Sequence, residues 1–256
     1  MISQLINLNL FAFLLVFARI GTAFTLMPGF GSQQVPMNIR LTFGVAVAFV
    51  LTPMLKEFLP LEPAEVSVLF LLLASEILIG VFLGMIPRIF MAALQAAGTI
   101  LSMMASMSNM FIQDPIADQQ SALLSTYLSM MALTIVFVTD THHLMLNALV
   151  DSYSVFNPVA GPMIGDMSDF MAHQVSESFA IGTQLSAPLI VSGIAYYLGL
   201  GILGRLMPQL PVFFFGMPIQ IAMQIYLLMI SLTSMMMVFM SYFENGTVDL
   251  TTAFGR

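Results

Sequence analysis

Long apolar runs set the main constraint on how this chain can fold. Only 7% of its 256 residues are charged, whereas 59% are hydrophobic, and an ordinary soluble domain has about 25% charged residues. Too few charged side chains remain to cover the surface of a soluble domain. Apolar runs with short polar interruptions are instead typical of helices that enter or span a membrane.

The runs predict six or seven helical segments, which cover residues 8–27, 41–55, 66–85, 89–110, 122–138, 179–206 and 212–243. Proline, glycine or short polar stretches separate them. The second run is shorter than the ~20 residues that a helix needs to cross a bilayer, and Pro87 separates the third run from the fourth. Pro188 and Pro218 fall inside the last two runs, which predicts kinked or broken helices there.

The predicted fold is therefore all-α: a polytopic membrane-type protein of helices in hairpins, several of them kinked or short, assembled with partner subunits. We expect a single membrane domain over residues 1–256. Within it, turn residues and polar side chains predict an inter-helix loop at 151–178.

Composition also excludes several functions. The six basic residues are scattered singly in a chain of net charge −7, whereas nucleic acids bind to clustered basic side chains. The absence of cysteine excludes disulfides and thiolate chemistry. The sequence has no zinc-protease motif, no nucleophile-elbow motif and no glycine-rich phosphate loop. We therefore predict that the protein is not an enzyme, and we expect no catalytic residue, cofactor or metal ion and no nucleic-acid partner.

Gly80 and Gly84 form a G-x-x-x-G pattern in an apolar helix, and Glu76 lies four residues earlier on the same face. Small residues of this kind let a second helix backbone approach closely. The partner is either another helix of this chain or a different subunit.

Methionine is abundant, with 24 residues. Met103, Met107 and Met110 would form a stripe on a helix, opposite a face of small residues at Ser102, Ser106 and Asn109. Thioether side chains are flexible and fill irregular gaps. The stripe is therefore either ordinary core packing or a deformable gasket that seals a pore.

Ionisable residues inside the apolar runs are few. A charged side chain at the centre of a membrane helix costs about 2.5–3.5 kcal/mol, so each should face protein or water. Arg19 pairing with a carboxylate such as Glu76 would meet this need. Asp140, His142 and His143 cannot share one face of a helix, which favours a helix end at an aqueous boundary over a metal site or proton relay.

Short motifs occur in order over most of the chain, from about Phe11 to Phe243. They are Phe17-Ala18-Arg19-Ile20-Gly21, Met27-Pro28-Gly29-Phe30-Gly31, Val35-Pro36, Ile39-Arg40-Leu41, Ser75-Glu76-Ile77-Leu78-Ile79-Gly80-Val81 with Gly84, Gln95-Ala96-Ala97-Gly98, Phe111 with Asp114-Pro115, and Asp140-Thr141-His142-His143-Leu144. Their order and spacing resemble the FliR family of flagellar biosynthetic proteins and its virulence-type counterparts in type III secretion.

The resemblance implies a structural subunit of the flagellar export gate, in the bacterial inner membrane at the flagellar basal body. Such a subunit forms part of the conduit for unfolded flagellar proteins. The implied partners are FliP-like and FliQ-like gate subunits in a hetero-oligomer, the large membrane protein of the export apparatus, unfolded export substrates and membrane lipid. The family's plug loop falls on residues 111–120, and the gating residues are Phe111, Ile112, Gln113, Asp114, Pro115 and Ile116.

Three alternatives remain open at this stage. One is a gate subunit of a virulence-type III secretion system, although the resemblance favours the flagellar system. A secondary transporter would use Pro188 and Pro218 as breaks in helices around a midplane site, although the two halves of the chain show no repeat. An intramembrane hydrolase would need a nucleophile and a base that the sequence does not reveal.

Overall fold

A computed structural model of the protein describes residues 2–32, 35–61, 63, 65–107, 111–114, 119–159, 161–209 and 212–254. Within these ranges the helices are α1 (Ile2–Leu26), α2 (Met37–Leu51), α3 (Val66–Met104), α4 (Leu123–Val138), α5 (His142–Val155), α6 (Ile164–Leu206) and α7 (Val212–Phe254). Two four-residue strands, β1 (Phe111–Asp114) and β2 (Gln119–Ala122), form an antiparallel hairpin. The prediction of an all-α membrane-type fold is confirmed, with this hairpin as a small addition.

Three of the described helical segments are long and apolar enough to cross a membrane: Val66–Met104, Ile164–Leu206 and Phe214–Val248. Helices α4 and α5 qualify as a fourth only if they are taken together, and a bend of 73° separates them. The remaining apolar helical segments, Leu10–Leu26 and Met37–Leu51, are shorter. This mixture agrees with the short runs seen in the sequence.

Pro87, Pro188 and Pro218 do not interrupt the helices that contain them, contrary to the break predicted at Pro87. α3 continues through Pro87 and merges the third and fourth predicted segments into one helix of 39 residues. α6 and α7 likewise run unbroken through Pro188 and Pro218. A proline removes only one backbone donor, and in membrane helices the freed groups are satisfied by neighbouring helices and local adjustments.

The prediction of a polar loop at 151–178 is also wrong, because most of these residues are helical. α5 continues to Val155 and α6 begins at Ile164, so only a short connection remains between them. Asp166 lies in the first turn of α6, where a negative charge favours the helix dipole. The first turns of α6 are largely exposed. Polar residues here mark an exposed helix surface and not a loss of helix.

The chain forms two compact units from separated stretches. The first unit contains Met1–Ile89, Val136–Gln174 and Phe243–Arg256, and the second contains Phe90–Ile135 and Val175–Tyr242. The prediction of a single domain stays a prediction.

In the first unit, α1 and α2 form a hairpin that is packed by aromatic rings. Phe24 stacks on Phe43 with ring centroids 5.2 Å apart, and Phe30 stacks on both rings. Phe11 and Leu15 of α1 also pack against Leu72 of α3. These apolar contacts join α1 to both α2 and α3.

In the second unit, α3 packs closely against α4 and α6 through glycine. A Cβ at Gly98 would collide with the backbone of Ser125, and one at Gly182 would lie 2.6 Å from the carbonyl oxygen of Ala93. Phe90 meets the ring of Tyr242 edge-on, with centroids 5.3 Å apart.

Candidate functional site

A fully buried ion pair lies in the first unit. Arg19 of α1 donates from Nε to Oε2 of Glu76 at 2.6 Å and from Nη2 to Oε1 at 2.9 Å. Both side chains are 0% exposed. Two parallel bonds between a guanidinium and a carboxylate make the strongest and most directional kind of charged contact. The pairing that the sequence suggested is therefore present, between α1 and α3.

The rest of the guanidinium is satisfied by α5 and the residue that follows it. Arg19 Nη1 donates to Ser152 Oγ at 3.1 Å, and Nη2 donates to the carbonyl oxygen of Phe156 at 2.9 Å. The Arg19 Cζ atom lies 3.8 Å from the centre of the Tyr153 ring, which places the cation over the aromatic face. The four hydrogen bonds that Arg19 donates offset much of the free-energy cost of burying two charges.

The arrangement joins three helices at one point. With no exposed surface, the ion pair is suited to fixing α1, α3 and α5 in one geometry and not to contacting a passing substrate. Sequence reasoning missed the α5 residues because it placed a loop from residue 151 onward. The available indication was the pair Ser152 and Tyr153, whose side chains can form hydrogen bonds next to an apolar run.

Gly80 and Gly84 pack against α1 of the same chain. A Cβ at Gly84 would lie 2.7 Å from the carbonyl oxygen of Ala23 and 2.9 Å from Cβ of Leu26, and a Cβ at Gly80 would collide with Thr22. Contacts below 3 Å require the neighbour to move, so this face admits only glycine without rearrangement. Of the two alternatives for this face, the structure contains the intramolecular one.

The predicted methionine stripe does not lie on one helix, so this part of the prediction is wrong. α3 ends at Met104, and Ser106 has a φ of +58°, which turns the chain away from the helix axis. Met103 is 57% exposed, whereas Met107 is buried. Met110 and Asn109 lie outside the described residues. A gasket role for these methionines stays a prediction.

The proposed plug segment, residues 111–120, overlaps the pair of strands β1 and β2. Phe111 pairs with Ala122 and Asp114 with Gln119 at its two ends. Pro115 and Ile116 lie outside the part of the chain that the structure describes. The resemblance implies a loop here, whereas Phe111–Asp114 and Gln119–Ala122 form two short strands.

A polar network of the second unit holds the chain just before the hairpin. Gln220 of α7 donates from Nε2 to the carbonyl oxygen of Met104, and its Oε1 accepts from Ser106 Oγ at 3.2 Å. The hydroxyl of Tyr197 in α6 also lies 3.2 Å from Ser106 Oγ. Gln220 is 1% exposed. Sequence reasoning missed Gln220, although an amide inside an apolar run is a detectable feature.

The structure brings Asp140, His142 and His143 together, against the geometric objection raised from the sequence. Asp140 is not helical, because its φ is +59° and it lies in the bend between α4 and α5. One ligand atom from each of the three side chains lies within 4.8 Å of the others. The expectation that they cannot converge holds only for residues on one helix.

The family model described as bacterial export proteins, family 1, matches residues 10–246. The chain belongs to this family. The flagellar biosynthetic protein FliR of Caulobacter vibrioides is 36% identical over 224 residues, which cover 88% of this chain and 89% of that protein. FliR of Bacillus subtilis is 34% identical over 238 residues, with 91% and 90% covered. The Yop proteins translocation protein T of Yersinia pestis is 30% identical over 241 residues, with 92% and 91% covered.

Membership in the bacterial export proteins, family 1, confirms the resemblance found from the motifs. The region that matches this family contains all the features described above: the ion pair, the glycine face of α3, the hairpin and the corner between α4 and α5.

Proposed function

We propose that this protein is a structural subunit of the flagellar type III protein export gate, without turnover of its own. The observation that carries the proposal is the match to the bacterial export protein family over residues 10–246, together with relatives named as flagellar biosynthetic proteins at 36% and 34% identity. In this role it forms part of the conduit for unfolded flagellar proteins across the inner membrane, at the flagellar basal body.

Large apolar surfaces on α6 and α7 support assembly with other subunits. In the most apolar windows of these helices, only 17% and 22% of the residues are buried within the chain, against 39% for α3. Exposed surfaces of this size in a soluble protein would mark an interaction site, and here they require lipid or protein cover. We propose that FliP-like and FliQ-like subunits cover part of them, with the large membrane protein of the apparatus as a further partner.

The hairpin supports the plug assignment. It follows the end of α3, where Gln220 and Ser106 hold the turn, and it precedes α4. A short paired segment on a fixed base is able to move as one element. We propose that residues 111–120 close the conduit at rest and that unfolded substrates displace them.

Co-purification tests the subunit role. The tagged protein, extracted in mild detergent from cells that also express the two small gate proteins, should elute as a complex with both. A monodisperse monomer that moves a small solute in vesicles would contradict the proposal and favour a transporter.

Removal of residues 111–120 tests the plug. The shortened protein should still assemble with its partners and should make the membrane permeable to ions, as measured by collapse of the membrane potential. The matched control replaces the same segment with ten residues of Gly and Ser, which restores length without the strand pairing. Loss of assembly without any leak would show that the segment is structural.

Complementation distinguishes the flagellar from the virulence-type system. We expect the gene to restore motility to a flagellated strain that lacks its own gate subunit. The identity of 30% with the Yersinia protein is the reason to test a virulence-type strain in parallel. Restored secretion there without restored motility would reverse the assignment.

A further inference from the structure

We propose that Asp140, His142 and His143 bind a divalent transition-metal ion of the Zn²⁺ or Ni²⁺ type at the corner between α4 and α5. All three residues belong to the first unit. The inference does not depend on the proposed export function, because it rests on side-chain geometry alone.

The backbone of the corner brings the carboxylate to the histidines. α4 ends at Val138 and α5 begins at His142, and the two helices meet at 73°. Asp140 adopts a positive φ of 59°, a conformation that Asp tolerates better than most residues. This turn places Asp140 Oδ1 3.8 Å from His143 Nδ1.

The two imidazole rings are supported by aromatic packing. His142 stacks on Phe137 of α4 with centroids 4.9 Å apart and an angle of 23°, and the His143 ring lies 4.2 Å from that of His142. The ring of Phe30 also contacts Phe137, with centroids 5.7 Å apart. The ring of His142 is therefore held in place, which lowers the entropy cost of binding an ion.

The Nδ1 atom of His142 is buried, and it has no hydrogen-bond partner within the described part of the chain. Leaving a buried polar atom without a partner costs free energy, and such an atom in a native structure calls for an explanation such as an ion or a water molecule. An imidazole nitrogen is a common metal ligand in proteins.

Two imidazole nitrogens and one carboxylate oxygen suit a divalent transition metal. Bonds of about 2.0–2.2 Å place the ligands of a tetrahedral ion roughly 3.4 Å apart, and the three donor atoms here lie within 4.8 Å of one another. Rotation of exposed side chains closes this difference, since the side chains of His143 and Asp140 are 61% and 76% exposed. Water completes the coordination. Imidazole ligands favour Zn²⁺, Ni²⁺ or Cu²⁺ over Mg²⁺ and Ca²⁺.

The composition of the chain leaves few other side chains that could bind a transition metal. It contains three histidines and no cysteine, so His173 is the one histidine outside the cluster. The full-length protein is purified in detergent with a peptide tag that lacks histidine, stripped of metal with a chelator, and titrated with Zn²⁺ by calorimetry. One ion per chain is expected to bind, and Co²⁺ in its place should give visible absorption bands of a nitrogen- and oxygen-coordinated ion.

Variants assign the ligands. His143→Ala and Asp140→Asn should each weaken Zn²⁺ binding more than about tenfold, and both are exposed positions where the fold is expected to persist. His173→Ala is the matched control and should bind as the unchanged protein does. Circular dichroism confirms equal helix content in all samples. The proposal is overturned if the unchanged protein binds neither ion stoichiometrically, if His143→Ala binds equally well, or if excess Mg²⁺ displaces Zn²⁺.

Discussion

Two groups of glycines, one on α3 and one in the last turns of α6, occupy opposite environments, although both helices are apolar and long enough to span a membrane. Gly80 and Gly84 of α3 lie so close to α1 that a Cβ atom would collide with it. For Gly199, Gly201 and Gly204 of α6, no heavy atom of the described chain outside their own helix lies within 4 Å of such a Cβ. A small-residue pattern therefore shows that a helix face is able to pack closely, and only the structure shows whether the chain itself uses that face.

The difference extends to the side chains around each face. Next to the α3 glycines, Arg19 and Glu76 form a fully buried ion pair. The surfaces of α6 near its glycines carry large exposed apolar groups, such as Leu198 at 66% and Ile202 at 63%. We interpret the first region as a fixed contact among helices of this chain and the second as a face that its surroundings cover.

The largest expected effect is at the buried ion pair. Glu76→Ala leaves the Arg19 guanidinium without its counter-charge in a buried position, and breaking such a pair costs about 3–5 kcal/mol. The chain has no tryptophan, so thermal unfolding in detergent is best followed by circular dichroism. Glu57→Ala, at an exposed acidic residue, is the control and should melt as the unchanged protein does.

A double replacement sharpens this test. Arg19→Met combined with Glu76→Leu removes both charges and keeps apolar volume, and such replacements of buried pairs are often neutral. We expect the double variant to be more stable than Glu76→Ala alone. If Glu76→Ala melts like the unchanged protein, the ion pair does not hold these helices in place.

The second prediction compares the two glycine faces directly. Gly84→Ala should lower the free energy of unfolding by about 1–3 kcal/mol, because the added methyl group overpacks the contact with Ala23. Gly199→Ala should raise it by up to about 1 kcal/mol, because alanine favours the helix and meets no neighbour. Opposite signs in the same thermal assay are expected, and equal signs would contradict the distinction.

The presence of helices and their approximate number could be predicted from the sequence, because apolar runs indicate burial in lipid or protein. The positions at which helices end were predicted less accurately. Pro87 was predicted to end a helix that continues through it, since proline weakens a helix but surrounding packing decides whether it ends. The polar residues after Asp151 predict a loop, but an exposed helix surface has the same composition.

Only part of the candidate site, the pairing of Arg19 with Glu76, could be predicted from the sequence. The cost of burying Arg19 and Glu76 demanded a partner for each, so their pairing could be anticipated. The contacts of Arg19 with Ser152, Tyr153 and the carbonyl of Phe156 could not, because they join residues more than 130 positions apart. The convergence of Asp140 with the histidines depends on one positive φ angle, which the sequence does not specify.

The third prediction tests whether other subunits cover the open face of α6. Gly201→Leu adds a side chain into open space, so the isolated protein should melt normally. In cells with the two small gate proteins, we expect about tenfold less complex, which corresponds to a loss of about 1.4 kcal/mol in association. Recovery of the normal amount of complex by quantitative blotting would mean that lipid, and not a partner, covers this face.

The smallest expected effect concerns a neutral contact in the second unit. Gln220→Leu removes the donor to the carbonyl oxygen of Met104 and the acceptor for Ser106 at the base of the hairpin. Each hydrogen bond contributes about 1 kcal/mol, so the whole protein should remain folded while the base of the hairpin loosens. Amide hydrogen exchange of residues 111–114 and 119–122 should then be about five- to tenfold faster.

Gln224→Leu provides the matched control for this last prediction. Gln224 is also 1% exposed on α7, but its amide donates to the carbonyl oxygen of Leu189 in α6, at 3.2 Å. Its loss should therefore leave exchange in the hairpin unchanged while removing a contact of the same kind. If both variants accelerate exchange in the hairpin equally, α7 acts on it through general packing. If only Gln220→Leu does so, one buried amide sets how firmly the hairpin is held, in contrast to the charged pair that fixes the first unit.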